Sequence, residues 1–172
     1  IDKDRGLQYP ILGLSEIKKN SKKVEFWILG TGNYLEELKK LARESGVEDH
    51  VIFYGWKPYR EMQLFISKAD ICLIPHVKSD HTDSTIPHKL FQYMYAQKPV
   101  IASDCAPIKR IIEESECGLI YPFDQPQIFA DKLMLLANDV TLHKKFQDNG
   151  RQAVIDHYIW DIDAERLNSI YK

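Results

Sequence analysis

One short stretch of the sequence groups residue types that bind anions. Pro87, His88 and Lys89 occur in the segment STIPHKLFQ, residues 84–92, which lies between two apolar runs. Proline favours the first turn of a helix, where backbone N–H groups lack intrahelical partners and the helix dipole is positive. With Thr85 as a candidate cap, the N–H groups of His88 and Lys89 and the Lys89 ammonium predict a site for an anion such as a diphosphate.

A glycine turn elsewhere in the chain is a second candidate for ligand binding. Gly30, Thr31 and Gly32 follow the apolar run VEFWIL and precede the helical pattern NYLEELKKLARES. Glycine lets the backbone approach a ligand closely, although a purely structural turn explains the pair equally well. Leu35 stands where a GxGxxG motif has its third glycine, and this departure argues against NAD binding.

Two further loops contain chemically capable side chains. Trp56 and Tyr59 could lie against a flat base, although packing is the interpretation we favour for aromatic residues in such a turn. Asp80, His81 and Asp83 could be drawn as a metal site, but no helical or strand spacing directs them at one point. We therefore expect a solvated loop there and no metal.

These residues need a scaffold, and the hydrophobic pattern predicts one. Five short apolar runs alternate with segments of helical period, which is typical of βαβ units and a parallel sheet. We predict a Rossmann-like α/β fold with helices on both faces and a helical C-terminal end. The predicted strands are 24–29, 51–55, 71–75, 99–103 and 118–122. The predicted helices are 33–45, 60–69, 87–96, 107–115, 125–138, 141–158 and 161–172.

The predicted helices come with finer expectations. Asp124 is the expected cap of the helix at 125–138. In the helix that begins near residue 87, we expect Leu90, Phe91, Met94 and Tyr95 to face the sheet. Ligands of such sheets bind beyond the carboxyl ends of the strands, where helices begin. The candidate anion-binding residues all follow predicted strands.

Composition limits the function classes. The chain has 172 residues, a net charge of −2 and no basic stripe, which argues against a nucleic-acid-binding role based on charge. Cys72, Cys105 and Cys117 lack close pairing, so we interpret them as reduced core residues of a cytoplasmic protein. No apolar run approaches the roughly 20 residues that span a bilayer. We expect one domain over residues 1–172.

An ordered set of motifs runs through the sequence. Its members are VEFWILGTGNYLEELKKLA, VIFYGW, ADICLIPH, PHKLFQYMYAQKPVIASD, CGLIYPFDQPQIFADKL, GRQAV and YIWD. In order and spacing this set resembles the C-terminal domain of group 1, or family-4, glycosyltransferases of the GT-B fold. The resemblance covers the chain from about Arg5 onward.

The resemblance implies a retaining enzyme that transfers a hexosyl group from a nucleotide-diphosphate sugar to a glycan or lipid-linked acceptor, in polysaccharide or glycoconjugate biosynthesis. It implies that this domain binds the donor, that an N-terminal acceptor domain is absent and that the isolated domain is inactive. Arg5, in the segment RGL, would be a partner of the diphosphate, together with Gly30, Gly32, His88 and Lys89. The family's first strand of this domain is also expected to be missing.

The sequence departs from the family where two glutamates often occur eight positions apart. Ser84 and Gln92 occupy those positions, so neither the donor sugar nor the ribose would meet a carboxylate. We identify no catalytic base or nucleophile and expect neither metal nor cofactor, since cations and a helix end would stabilise the leaving diphosphate. The alternatives are a degenerate nucleotide-sugar-binding or interaction module and a GT-B-type sugar-nucleotide epimerase. Peripheral contact with the inner face of the membrane remains open for the full-length protein.

Overall fold

The computed structural model describes residues 1–18 and 24–170, and side chains throughout except those of Lys18 and Arg166. In these residues five strands alternate with helices, and three helices end the chain. The strands are β1 (Phe26–Leu29), β2 (Val51–Gly55), β3 (Cys72–Ile74), β4 (Val100–Ser103) and β5 (Gly118–Tyr121). The helices are α1 (Gln8–Lys18), α2 (Leu35–Glu44), α3 (Tyr59–Lys68), α4 (Lys89–Tyr95), α5 (Ala106–Ser115), α6 (Pro126–Asn138), α7 (Val140–His157) and α8 (Trp160–Ile170).

All strand pairs are parallel, and in the described residues they form two separate sheets. β1 pairs with β2, while β4 lies between β3 and β5. The predicted α/β class with parallel strands is therefore confirmed, but the hydrogen bonds do not join the strands into one sheet. Only β4 is buried along its whole length.

The apolar side chains form two clusters, one for each side of the layered fold. The first includes Ile11, Leu38, Ile101 and Phe129, from α1, α2, β4 and α6. The second is built around α4, α5 and part of α7. Cys72, Cys105 and Cys117 are buried free thiols, which confirms their core placement, and burial raises the pKa of Cys72 to about 12.

Several local expectations need correction. The helix α1 was not predicted at all, and no Asp124 cap forms, because Gln125 occupies the cap position of α6 without a side-chain bond. In α4, Tyr95 is 52% exposed and holds the Arg151 guanidinium 5.0 Å from its ring centre, whereas Tyr93 packs against the second cluster. Residues 171–172 of the last predicted helix lie outside the described residues. No described helix combines the length and apolar character that spanning a bilayer requires.

Candidate functional site

The segment before α1 is docked on the loop that follows β3. Gly6 has φ +69°, and a Cβ atom at this position would lie 1.6 Å from the carbonyl oxygen of Pro75. The N–H of Val77 also donates to the carbonyl oxygen of Asp4 at 3.0 Å. Only glycine fits so close an approach with a left-handed backbone. The contact places Arg5 at the carboxyl end of β3.

Arg5 and Lys89 form a pair of neighbouring cations. Burial, together with the Arg5 charge, lowers the pKa of the half-buried Lys89 to about 8. No carboxylate of residues 1–18 and 24–170 forms an ion pair with either side chain. Two like charges without a counter-charge are unfavourable, and an external anion would relieve their repulsion. The structure thus assembles a potential anion site from residues 84 positions apart in sequence.

Arg5 and Lys89 both line a groove of about 930 Å³ between β1 and β3. We call this cavity, walled by residues 26–29 and 71–73, the interstrand groove. Gly30 and Gln92 line the same cavity. Four of the predicted donor-binding residues are therefore brought together, although they come from three separate parts of the chain.

A residue that the sequence pattern did not single out stands next to this pair. His76 is 5% exposed, and its carbonyl oxygen accepts a hydrogen bond of 2.6 Å from the Ser103 hydroxyl. Its Nε2 atom has no hydrogen-bond partner among the described residues. Burial, followed by the charges of Lys89, Arg5 and His81, lowers the pKa of His76 to about 3. His76 is thus a neutral imidazole, and its position directly after a predicted strand was the available signal.

The aromatic turn after β2 is more exposed than expected. Trp56 and Tyr59 are 71% and 61% exposed, so the packing interpretation of this turn is wrong. The Nε2 amide group of Gln92 donates to the Tyr59 hydroxyl at 3.4 Å. This contact links Tyr59 to the first turn of α4.

The glycine turn lies directly after β1. Gly30 adopts φ +120° and donates its N–H to the carbonyl oxygen of Gly55 at 2.7 Å. Thr31 and Gly32 are exposed, and the carbonyl oxygen of Thr31 accepts from the amino group of Ile1. Unlike Gly30, these two residues do not line the interstrand groove.

Three further candidates lie outside the interstrand groove. Ser84, Thr85 and His88 are exposed. The Thr85 hydroxyl donates to the carbonyl oxygen of His81 at 2.8 Å, and the Ser84 hydroxyl makes a bond of 3.0 Å to the same atom. The predicted Thr85 cap is therefore wrong: His88 occupies the cap position of α4 without a side-chain bond.

The loop that contains Asp80, His81 and Asp83 uses one of its carboxylates to cap a helix. The Oδ1 atom of Asp83 accepts a 2.8 Å hydrogen bond from the N–H of Ala106, the first residue of α5. The part of the chain that the structure describes contains no group of three metal-ligating side chains. The Asp83 carboxylate thus accepts from one of the backbone N–H groups that have no partner within α5, and it ties the loop to the start of that helix.

Comparison with known proteins identifies relatives of this chain. A relative from Streptomyces kanamyceticus, alpha-D-kanosaminyltransferase, is 24% identical over 98% of this chain and 42% of its own length. The amylovoran biosynthesis glycosyltransferase AmsK of Erwinia amylovora is 29% identical over 77% of this chain and 33% of its own. The chain therefore spans less than half the length of these relatives.

A solved structure and a family profile complete the comparison. The structure of Anabaena HepE in complex with UDP superposes with a TM-score of 0.84 at 17% identity, over 98% of this chain and 46% of the other, and at that identity it shows the fold alone. The profile of "Glycosyl transferases group 1" matches residues 1–153, which is most of the chain. The chain therefore belongs to the group 1 glycosyl transferases, and its α/β architecture is that of a GT-B domain.

Proposed function

We propose that this chain is the donor-binding part of a retaining glycosyltransferase, which transfers a hexosyl group from a nucleotide-diphosphate sugar to a glycan or lipid-linked acceptor. Family membership supports transferase activity, and HepE, which shares the fold, forms a complex with UDP. The name of the Erwinia relative refers to polysaccharide biosynthesis. The acceptor site would belong to further polypeptide, since this chain covers less than half of its relatives.

The observation that carries the proposal is the uncompensated cation pair of Arg5 and Lys89. Its charge and its place at the carboxyl ends of parallel strands suit a diphosphate. A diphosphate beside Lys89 would restore the stability of its charged form and raise its pKa from about 8. Ligand binding near neutral pH should therefore be accompanied by uptake of a fraction of a proton.

The same pair would serve the chemical step. As the bond between sugar and diphosphate breaks, negative charge grows on the leaving phosphate oxygen. Cations that are already positioned stabilise this charge without reorganisation, and in many enzymes such stabilisation supplies most of the rate enhancement. In this proposal Arg5 and Lys89 stabilise the leaving group, and no metal or other cofactor is required.

The remaining candidates have supporting roles in the proposal. Trp56 and Tyr59 offer exposed aromatic faces on which a base could stack, and Gln92 offers an amide to ribose hydroxyls. The backbone of Gly30, which carries no side chain, would let the ligand approach this wall of the interstrand groove closely. His88, Ser84 and Thr85 would flank the phosphates and sugar from the exposed side.

Titration with UDP and GDP tests the proposal directly. Calorimetry at pH 7 on the 172-residue chain should detect binding, and Lys89→Met should weaken the nucleoside diphosphate about tenfold or more, since a charge-assisted contact is worth about 1.5–3 kcal/mol. Uridine alone should bind the variant and the parent equally.

The matched control is Lys109→Met. Lys109 lies on the exposed face of α5, where it pairs with Glu113 at 3.9 Å. Its replacement should leave the affinity for UDP unchanged. Absence of binding at ~1 mM nucleotide in a folded sample, or equal losses of uridine and UDP affinity in Lys89→Met, would contradict a diphosphate site. Either result would favour the degenerate module suggested by Ser84 and Gln92.

A further inference from the structure

Tyr59, the first residue of α3, accepts hydrogen bonds from two glutamine side chains. The Nε2 amide group of Gln63, one turn further along α3, donates to the Tyr59 hydroxyl oxygen at 3.4 Å. The Nε2 amide group of Gln92, from α4, donates to the same oxygen at 3.4 Å. A phenol both donates and accepts hydrogen bonds, so its oxygen is a suitable partner for an amide N–H. The second bond joins two helices through residues 33 positions apart in sequence.

The packing of α3 fixes the place of Tyr59, although the Tyr59 ring itself is largely exposed. Phe65 of α3 packs against Tyr54 of β2, with the ring centres 4.7 Å apart. Near the end of α3, the carbonyl oxygen of Ser67 accepts a hydrogen bond from the Lys98 ammonium at 2.8 Å. Since Lys98 follows α4, the helix α3 is held both on β2 and beside α4. Its first residue therefore stays next to α4.

The contact with Tyr59 decides which end of the Gln92 amide is offered to a ligand. A glutamine side chain has one donating and one accepting end. Because Nε2 donates to the Tyr59 hydroxyl, Oε1 is left as the accepting end. Gln92 lines the interstrand groove together with Arg5 and Lys89. The accepting end thus belongs to a residue of the same cavity as the cation pair.

An accepting amide oxygen beside a diphosphate site suits a hydroxyl group of the ligand. The terminal torsion of a glutamine is broad, so an unheld amide can turn either end toward a ligand. An amide that is already held in one orientation loses less freedom when the ligand binds. A neutral hydrogen bond of this kind changes affinity by about 2- to 12-fold. The orientation of Gln92 should therefore appear as selectivity for a hydroxyl group.

We propose that Tyr59 is a positioning residue of the donor site, whose hydroxyl holds the Gln92 amide so that Oε1 accepts a hydrogen bond from a ribose hydroxyl of the donor. This role rests on the proposed function, because it requires a bound nucleotide. It belongs to the Tyr59 hydroxyl and is separate from any stacking by the ring. Tyr59→Phe distinguishes the two, since it removes the hydroxyl and keeps the ring.

The test measures selectivity for the ribose hydroxyls by calorimetry on the 172-residue chain. UDP and its 2′-deoxy and 3′-deoxy analogues are titrated into the parent and the variants, and the ratio of dissociation constants is the readout. The parent should bind UDP about 3- to 10-fold more tightly than at least one analogue. In Tyr59→Phe that ratio should fall below about 2-fold, while the affinity for the same analogue stays within about 2-fold of the parent.

The matched control is Gln63→Leu, which removes the other amide from the Tyr59 oxygen. Gln63 is exposed and does not line the interstrand groove, so this variant should keep the selectivity of the parent. A double-mutant cycle provides a second check. In a Gln92→Leu background, Tyr59→Phe should change the ratio no further, because the hydroxyl acts through the Gln92 amide.

Four results would overturn the positioning role while the parent still binds UDP. They are equal affinity of the parent for UDP and both analogues, unchanged selectivity in Tyr59→Phe, equal losses of UDP and analogue affinity in Tyr59→Phe, and a further loss of selectivity by Tyr59→Phe in the Gln92→Leu background. The third would assign Tyr59 to general contact with the nucleotide, and the fourth to direct contact with the ribose. A parent that binds no UDP would contradict the proposed function and this role together.

Discussion

Lys89 is expected to destabilise the fold in the absence of ligand. Its pKa falls from 10.5 to about 8 on folding, because burial and the Arg5 charge disfavour the ammonium. Each pKa unit corresponds to about 1.4 kcal/mol, so the shift sets an upper limit of about 3 kcal/mol at pH 7. Lys89 keeps part of its solvent contact, and screening reduces the expected cost to about 1–2 kcal/mol.

Lys89→Met removes the charge and keeps an unbranched apolar stem of similar reach. At pH 7 without ligand, its free energy of unfolding should exceed that of the parent by about 1–2 kcal/mol, or about 2–8 °C in Tm for a domain of this size. Urea unfolding and thermal unfolding both measure the difference. Lys109→Met, on the exposed face of α5, should change stability by no more than about 0.5 kcal/mol.

The pH dependence of this difference has a definite sign. Between pH 8 and pH 10.5 the unfolded state keeps the Lys89 proton while the folded state has lost it, so the stability of the parent rises with pH in this window relative to the variant. The advantage of Lys89→Met should therefore shrink from pH 7 toward pH 10.5. A variant that is no more stable than the parent at pH 7, or an advantage that does not change with pH, would refute the strained cation pair.

Three further predictions concern residues around the site. Gly6 and Gly55 have nearly the same φ, +69° and +68°, but only at Gly6 would a Cβ meet Pro75. Gly55→Ala should therefore lower the free energy of unfolding by about 1–2 kcal/mol, and Gly6→Ala should lower it by about 2 kcal/mol more. Equal losses in the two variants would contradict the tight docking of Gly6 on Pro75. Asp83→Ala should cost about 1 kcal/mol through loss of the bond to α5, while Asp80→Ala should leave urea unfolding nearly unchanged. Because the His76 pKa is about 3 in the folded state, unfolding takes up a proton below pH 6.5. The free energy of unfolding should therefore fall by about 2 kcal/mol between pH 7 and pH 5. An equally steep fall in His76→Gln would show that His76 is not its source.

The hydrophobic periods of the sequence predicted most of the elements but not α1. Pro10 and Gly13 interrupt its pattern and suggest a loop. In the structure Pro10 lies in the first turn, where its missing N–H costs nothing. A Cβ at Gly13 would lie 2.6 Å from the Phe129 ring, so the glycine permits close packing of α1 on α6. Tertiary packing, which one sequence does not display, decides both positions.

The site was predicted in part for a related reason. The rule that ligands bind beyond the carboxyl ends of strands pointed to Lys89 and Gly30, because it depends only on element order. Arg5 came from a resemblance to a family. His76 was missed because its burial and its orphan Nε2 atom arise from contacts with Ser103 and the segment before α1, which lie far away in sequence.

The donor site and the interstrand groove depend on the same short segment. Ile1 lies over the glycine turn after β1, while Arg5 and Gly6 rest against the loop after β3. A diphosphate between Arg5 and Lys89 would hold this segment against the loop after β3. Docking of this segment and binding of the diphosphate would then favour each other, and thermodynamic linkage requires the effect to be reciprocal.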